Sequence, residues 1–417
     1  MTQTKKNYAL PIFMMILLFG MISMVTNLAA PMGVVLMNQF ELGAGAGMLG
    51  NMANFIAYAV MGIPGGILLQ KIGYKKTALL AIAVGFIGLL IQFAAGHVDG
   101  QSAFYVYLLG AFVAGFSMTL LNTVVNPMLN TLGGGGNKGN QLIQIGGSFN
   151  SVMGTITPMV VGVLIGEVAK ASISNIFPLM YAAMGIFAVL FFLLWSVSIP
   201  EPHAESASEP IGKLMKGALK FRHFVLGAVG IFVYVGVEVG TPGILMFWLS
   251  SLPEYGPATA GVVAGIYWFL MLVGRLIGAS IGGKVSSKTM LTAGSALAVV
   301  LVLLAIIIPA SNQVTIPFVD VAVPINAVLL VLVGLSTSIM WGGIYNLAVE
   351  GLGKYIAVAS GLFMVMVCGG GILPAVQGWV AEVIGYQLSY FVMLAGFVYL
   401  LYYALVGSKN VNKNIPV

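Results

Sequence analysis

Twelve apolar runs follow one another along the chain, each long enough to cross a bilayer, and that succession alone removes most folds. A helix needs about 20 apolar residues to traverse the hydrocarbon layer. The runs lie near 9–37, 46–69, 77–96, 103–131, 141–166 and 176–198, then near 223–250, 256–283, 289–309, 322–349, 355–381 and 386–407. Only 7% of the 417 residues are charged, against about a quarter in a soluble domain, so a soluble surface is out of reach. Glycine, at 55 residues, is about twice its usual share, as suits close packing between membrane helices. The first run follows Lys5 and Lys6 but is too long for a secretory signal and lacks a convincing cleavage site, so it is expected to be the first span. The expected fold is therefore an all-α membrane protein of twelve transmembrane helices. Two six-helix bundles, 1–200 and 223–417, flank a polar linker at 201–222.

Charge sets the orientation. The net charge of +6 could suggest nucleic acid, but the basic residues form no patch and no nucleic-acid partner is expected. They fall at intervals between the spans. With twelve spans both termini share one side, which receives Lys5, Lys6, Lys71, Lys75, Lys76, Lys138, Lys213, Lys216, Lys220, Arg222, Lys284, Lys288, Lys354, Lys409 and Lys413, with Arg275 near the same end of its helix. Lys170 alone falls on the other face, with Glu41, Asp99, Glu167, Glu254, Asp320 and Glu382. The positive-inside rule then makes both termini cytoplasmic, in a multi-pass plasma-membrane protein. In the linker, after Glu201, Glu205 and Glu209, the stretch from Lys213 to Lys220 is expected to form a short amphipathic helix on the membrane surface.

Subtracting the loop acids leaves Glu238, midway along the seventh span in Tyr234-Val-Gly-Val-Glu238-Val-Gly-Thr-Pro242. An ionisable group there is costly unless it faces a cavity or a partner, so ion coupling or substrate binding is expected; the bland alternative is a protonated carboxyl bonded to a neighbouring helix. Asn27, like Glu238, stands four before a proline in the first helix of its half, the spacing a duplicated six-helix unit would leave. Asn122 and Asn126 share one face of span four, and span five carries Gln144, Ser148, Asn150, Ser151 and Thr155. Amides and hydroxyls both donate and accept, which suits a neutral hydroxylated ligand; they also serve as glue between helices. Phe149, Tyr234, Trp248, Tyr267, Trp268, Trp341 and Tyr345 lie within spans, where rings could stack on the C–H face of a sugar or simply pack.

Other chemistries lack their parts. Gly45-Ala-Gly47-Met-Leu-Gly50 has dinucleotide-fingerprint spacing, but no strand precedes it and it opens a membrane span. His97, His203 and His223 are scattered, and with the single cysteine, Cys368, they make neither a metal cluster, a catalytic triad nor a disulfide. No P-loop is present, and Gly133 to Gly136 reads as a loop. No enzyme activity, cofactor, metal or obligatory protein partner is expected; a membrane enzyme acting on lipids would need clustered acids or histidines near the interface.

These residues resemble a known family. Gly66-Ile-Leu-Leu-Gln-Lys71-Ile-Gly73-Tyr-Lys75-Lys76, between spans two and three, resembles the loop signature of the major facilitator superfamily, with Gln70 where an acid is usual. Gly274-Arg275-Leu-Ile-Gly278 looks like its counterpart in the second half, which makes Gly66, Gly73, Lys75, Lys76 and Arg275 gating-motif candidates. Asn126-Pro127, Ser148-Phe149-Asn150-Ser151, Tyr234 to Glu238, Glu350-Gly-Leu-Gly-Lys354 and Gly369-Gly-Gly-Ile-Leu-Pro374 resemble the fucose–proton symporter family, which includes bacterial glucose/galactose transporters. That resemblance implies the major facilitator fold, a bacterial inner-membrane location and import of a neutral mono- or small oligosaccharide by alternating access. It also shows departures. Asn27 and Asn122 stand where that symporter has functional carboxylates, and Gly147 where it has a glutamine, which hints at more room. An amide does not titrate, so coupling to sodium or a proton is expected at Glu238. Sugar contacts are expected at Asn27, Asn122, Asn126, Gln144, Asn150, Trp268, Trp341 and Tyr345. The alternatives are an uncoupled sugar facilitator and a small-molecule or drug efflux carrier on the same fold.

Overall fold

A computed structural model of the chain describes residues 8–132, 136–167, 170–199, 211–281, 285–316, 321–352 and 355–412. Lys5, Lys6, Glu201, His203, Glu205, Glu209, Lys284, Asp320, Lys354 and Lys413 lie outside the described residues, as do the side chains of Gln70, Lys138 and Gln144. Inside a bilayer every backbone polar group must be satisfied internally, and an apolar run meets that demand by coiling into a helix. Among the described residues twelve helices long and apolar enough to cross result. Spans one to six are Ala9–Gln39, Leu49–Leu69, Lys71–Ala95, Ser102–Asn126, Ile145–Ile165 and Ile173–Ser196. Spans seven to twelve are Arg222–Ser250, Gly256–Gly278, Ser287–Ile307, Ile325–Val349, Gly361–Ile384 and Tyr386–Gly407. Each bound lies within about six residues of its expected place, the widest gaps being the starts of spans three and eleven.

The regularities break where the sequence supplies a reason. Gly73, at φ 82°, makes the sharp turn between spans two and three, a left-handed conformation that a residue with a Cβ adopts at a cost. Span ten is two helices, Ile325–Thr337 and Met340–Val349, and span eleven is crossed by a second interruption between Ile356–Met366 and Gly369–Ile384. The expected start of span ten at 322 is corrected: Val321–Pro324 is a strand, β2, paired antiparallel with β1, Gln313–Ile316. Val321 and Val323, both β-branched, favour a strand over a helical turn there, facing the Val/Ile alternation with Gln313 and Thr315 in β1, and Pro324 stands just before the helix starts.

The linker helix runs Ile211–Ala218, close to the expected stretch. It buries Leu214 and Ala218 and lays Gly217 against the Tyr355 ring, while Lys213, Lys216 and Lys220 are exposed. The buried seam thus faces protein, not only the membrane surface.

At the end opposite the termini the two halves are pressed together. A short helix, Ala44–Gly47, joins spans one and two and sits on span eleven: a Cβ on Gly45 would strike the Trp379 ring, and one on Gly378 the Ala44 carbonyl. The Glu382 carboxylate accepts the Gly45 N–H at 2.6 Å. The Gly45 to Gly50 run is therefore a packing surface. Close by, spans five and eight meet backbone to backbone, Gly162 against the Pro257 carbonyl and Gly261 against the Pro158 carbonyl. Asn51 of span two donates to the Gly370 carbonyl of span eleven at 2.7 Å. Toward the end that carries the termini, Asn122, Asn126, Trp341 and Tyr345 remain half-buried.

Candidate functional site

Glu238 is in the middle of span seven because Tyr234-Val-Gly-Val-Glu238 continues a helix that runs unbroken through Pro242. One turn earlier on the same face, the Tyr234 hydroxyl donates to Glu238 Oε1 at 2.7 Å. Arg275 of span eight places Nη2 3.9 Å from the same oxygen, with both side chains largely buried at 17% and 12% exposure. At that separation the attraction is about 4 kcal/mol if the effective dielectric constant is about 20. Nη1 of the same guanidinium crosses to the other half, donating to the Gly147 carbonyl at 2.6 Å and to Ser151 Oγ at 3.0 Å. Glu238 Oε2 accepts no hydrogen bond among the described residues.

Arg275 therefore lies elsewhere than its loop-motif neighbours. Its Cα is near the terminal end of span eight, but a helical Cβ tilts toward the helix N-terminus, and the long side chain carries the charge back into the membrane. The space beside Gly147 is occupied by this guanidinium: a Cβ there would stand 3.4 Å from Arg275 Nη1. The room that Gly147 seemed to leave is filled from within the protein.

The other expected residues form separate groups. Asn27 is buried in span one and folds its amide back on Ser23, donating to the carbonyl at 2.9 Å and to Oγ at 3.1 Å. It meets Trp268 across the seam, both pressing on Gly154 of span five. Together with Thr26, Pro31, Val239 and Pro242 they line a cavity of about 20 Å³, room for one water. Trp268 also stacks edge-on to Tyr267, 5.5 Å between centroids. Trp341 lies beside Tyr234, 6.1 Å between rings, which adds it to the Glu238 group. Asn122 donates to the Tyr58 hydroxyl at 2.7 Å, and Asn126 donates to the Asn122 carbonyl at 3.1 Å, so these two amides form a ladder on spans two and four. Asn150 turns to span one and donates to the Phe19 carbonyl at 3.1 Å. Tyr345 packs on Phe363 at 5.4 Å.

The loop motif does structural work of its own. Lys75 donates to the Trp195 carbonyl at 2.7 Å, satisfying a free carbonyl at the end of span six. Gly66 has open space where a Cβ would be, and Lys76 is exposed. Sequence reasoning missed Tyr58, Ser151 as the partner of Arg275, and the two cross-half ties at Asn51 and Glu382. The i, i+4 spacing of Tyr234 and Glu238 was the one signal available for that hydroxyl–carboxylate pair.

Comparison with known proteins agrees with this architecture. Residues 12–375 match the Major Facilitator Superfamily. The chain belongs to that superfamily. Its relatives are transporters, not enzymes, and it is a multi-pass membrane protein. It is 30% identical to a glucose/galactose transporter of Brucella abortus, over 98% of this chain and 97% of that one. It is 28% identical to a putative glucose/galactose transporter of Helicobacter pylori, over 85% of this chain and 86% of the relative. Among solved structures, the Escherichia coli fucose:proton symporter superposes with a TM-score of 0.69 at 18% identity, covering 96% of this chain and 98% of that one, a likeness of fold.

Proposed function

We propose that this superfamily member is a secondary sugar carrier that imports a neutral mono- or small oligosaccharide by alternating access, coupled to sodium or a proton through Glu238. The observation that carries the reading is the position of that carboxylate: mid-membrane, at the seam of the two halves, tied to one by Tyr234 and, through Arg275, to the other. A group so placed responds to ion binding and to the relative position of the halves at once, which is what coupling by differential affinity requires. Asn27 and Trp268, facing each other across the seam, supply an amide and a ring for a hydroxylated ligand, with Asn122, Asn126 and Trp341 half-buried further toward the terminal side. The relatives named for glucose, galactose and fucose supply the substrate class.

The distribution of lysines supports cytoplasmic termini, and the bacterial transporter relatives support an inner membrane. In that frame the state described here is sealed on the outside and faces inward, with Asn27 and Trp268 drawn in around a water-sized space. Glu238→Gln in reconstituted vesicles is expected to abolish accumulation of hexose against its gradient while sparing counterflow. Accumulation that survives the change would remove Glu238 from the coupling role. Imposing sodium and pH gradients separately identifies the ion.

A further inference from the structure

A coupled carrier has one step that its cargo does not assist: the return of the empty protein. Once the ion has left, a bare carboxylate must travel through that step at mid-membrane, where an unpaired charge is costly. The geometry points to Arg275 as the group that solves this. We infer that Arg275 is the resident counter-cation of Glu238, taking the coupling ion's place when the site is empty and so permitting the halves to rock without cargo. The inference rests on the coupled-carrier reading above and adds to it the group with which the ion competes.

Three features of the contact carry it. The separation of 3.9 Å between Nη2 and Oε1 makes an ion pair without a hydrogen bond, so charge is compensated while the carboxylate stays easy to claim. Among the described residues Glu238 Oε2 accepts no hydrogen bond and Oε1 is held by Tyr234, so an arriving ion finds a fixed carboxylate with one oxygen that no described donor occupies. The guanidinium also has somewhere to stay when displaced: Nη1 is anchored on the Gly147 carbonyl and Ser151 Oγ, contacts that do not depend on Glu238. Arginine suits this double attachment because its five donors point in fixed directions, which a lysine ammonium does not reproduce. A Cβ at Gly147 would already touch Arg275 Nη1 at 3.4 Å, so a side chain longer than a methyl there would compete with the guanidinium for its place.

A resident counter-cation leaves a kinetic mark that a merely structural arginine does not. In vesicles, Arg275→Gln is expected to slow net hexose uptake at least about tenfold while hexose exchange, which never passes through the empty return, stays within about threefold of the parent. Arg275→Lys is expected to keep part of net uptake. The double variant Glu238→Gln with Arg275→Gln, lacking the carboxylate that needed neutralising, is expected to regain downhill uptake relative to Arg275→Gln alone. Loss of exchange and net uptake in equal proportion, or no recovery in the double variant, would overturn the inference.

A second arm does not depend on the sugar. The unfolding midpoint of purified protein is titrated with sodium chloride against choline chloride, and separately with pH. The ionisable groups facing Glu238 among the described residues are Tyr234 on its own helix and Tyr267 and Arg275 on span eight. With its competitor gone, the Arg275→Gln carboxylate is expected to respond to one of the two ions at a concentration at least about tenfold lower than the parent does. Identical responses to both ions would also overturn the inference. Failure of the parent to exchange any hexose would sink the sugar reading and leave this arm standing.

Discussion

Asn150 and Gly147 sit three residues apart on span five and illustrate two uses of a residue at a seam between helices. Asn150 spends its amide on the Phe19 carbonyl. Asn150→Ala is expected to lower unfolding stability by about 0.5–1 kcal/mol, the size of an interhelical hydrogen bond in a membrane, with hexose KM unchanged. A tenfold rise in KM would instead place Asn150 in the sugar site. Gly147 does its work by lacking a side chain. Gly147→Gln would put an amide where the Arg275 guanidinium lies and is expected to reduce accumulation at least about tenfold, whereas Gly147→Ala, whose Cβ stays 3.4 Å away, is expected to remain within about threefold. Accumulation and counterflow measured side by side check both. Glu238 was legible in the sequence because a charge inside a long apolar run stands out against its neighbours. Arg275 was visible as a charge but misplaced, since one-dimensional position near a helix end does not show which way a long side chain runs. Asn51, an amide in an apolar helix, carries no mark in the sequence that distinguishes a tie from a ligand.

The elements repeat the lesson in another form. Hydropathy located all twelve spans, with bounds off by up to about six residues, because burial of the backbone in lipid leaves a helix as the default for any long apolar run. It was blind to the interruptions in spans ten and eleven, which lie inside equally apolar stretches and depend on tertiary contact: Ser338, at the first break, presses on Gly274, next to Arg275. It also missed the β1–β2 hairpin, whose apolar residues read as the start of span ten. Where the halves meet, the glycines are the mechanical parts. A Cβ on Gly162 would lie 2.5 Å from the Pro257 carbonyl, an obstacle of backbone that does not yield by rotation. Gly162→Val is therefore expected to wedge spans five and eight apart at the sealed end and favour the state open on that side. A single cysteine introduced at Ala30, on the wall of the water-sized cavity, in a Cys368→Ser background would then react faster with a membrane-impermeant maleimide, and an unchanged rate would show that this contact does not govern the seal.

For the whole molecule, the sequence settled more than the site did. Twelve crossings emerge from polarity alone, while the grouping of polar residues into an Asn27–Trp268 pair, a Glu238–Arg275 pair and an Asn122–Asn126 ladder depends on which faces the packed helices turn inward. Lys170 forms a surface pair with Glu167 at 2.7 Å on the side away from the termini. Lys170→Cys is expected to label with the impermeant reagent in intact cells and Lys220→Cys only after lysis; the reverse pattern would invert the orientation. At the sealed end, the bond between halves has an acid on one side and a main-chain amide on the other. Mutation can retune the Glu382 end, whereas the Gly45 end is fixed because any side chain there would meet the Trp379 ring, so evolution can adjust how firmly this carrier shuts from span eleven alone.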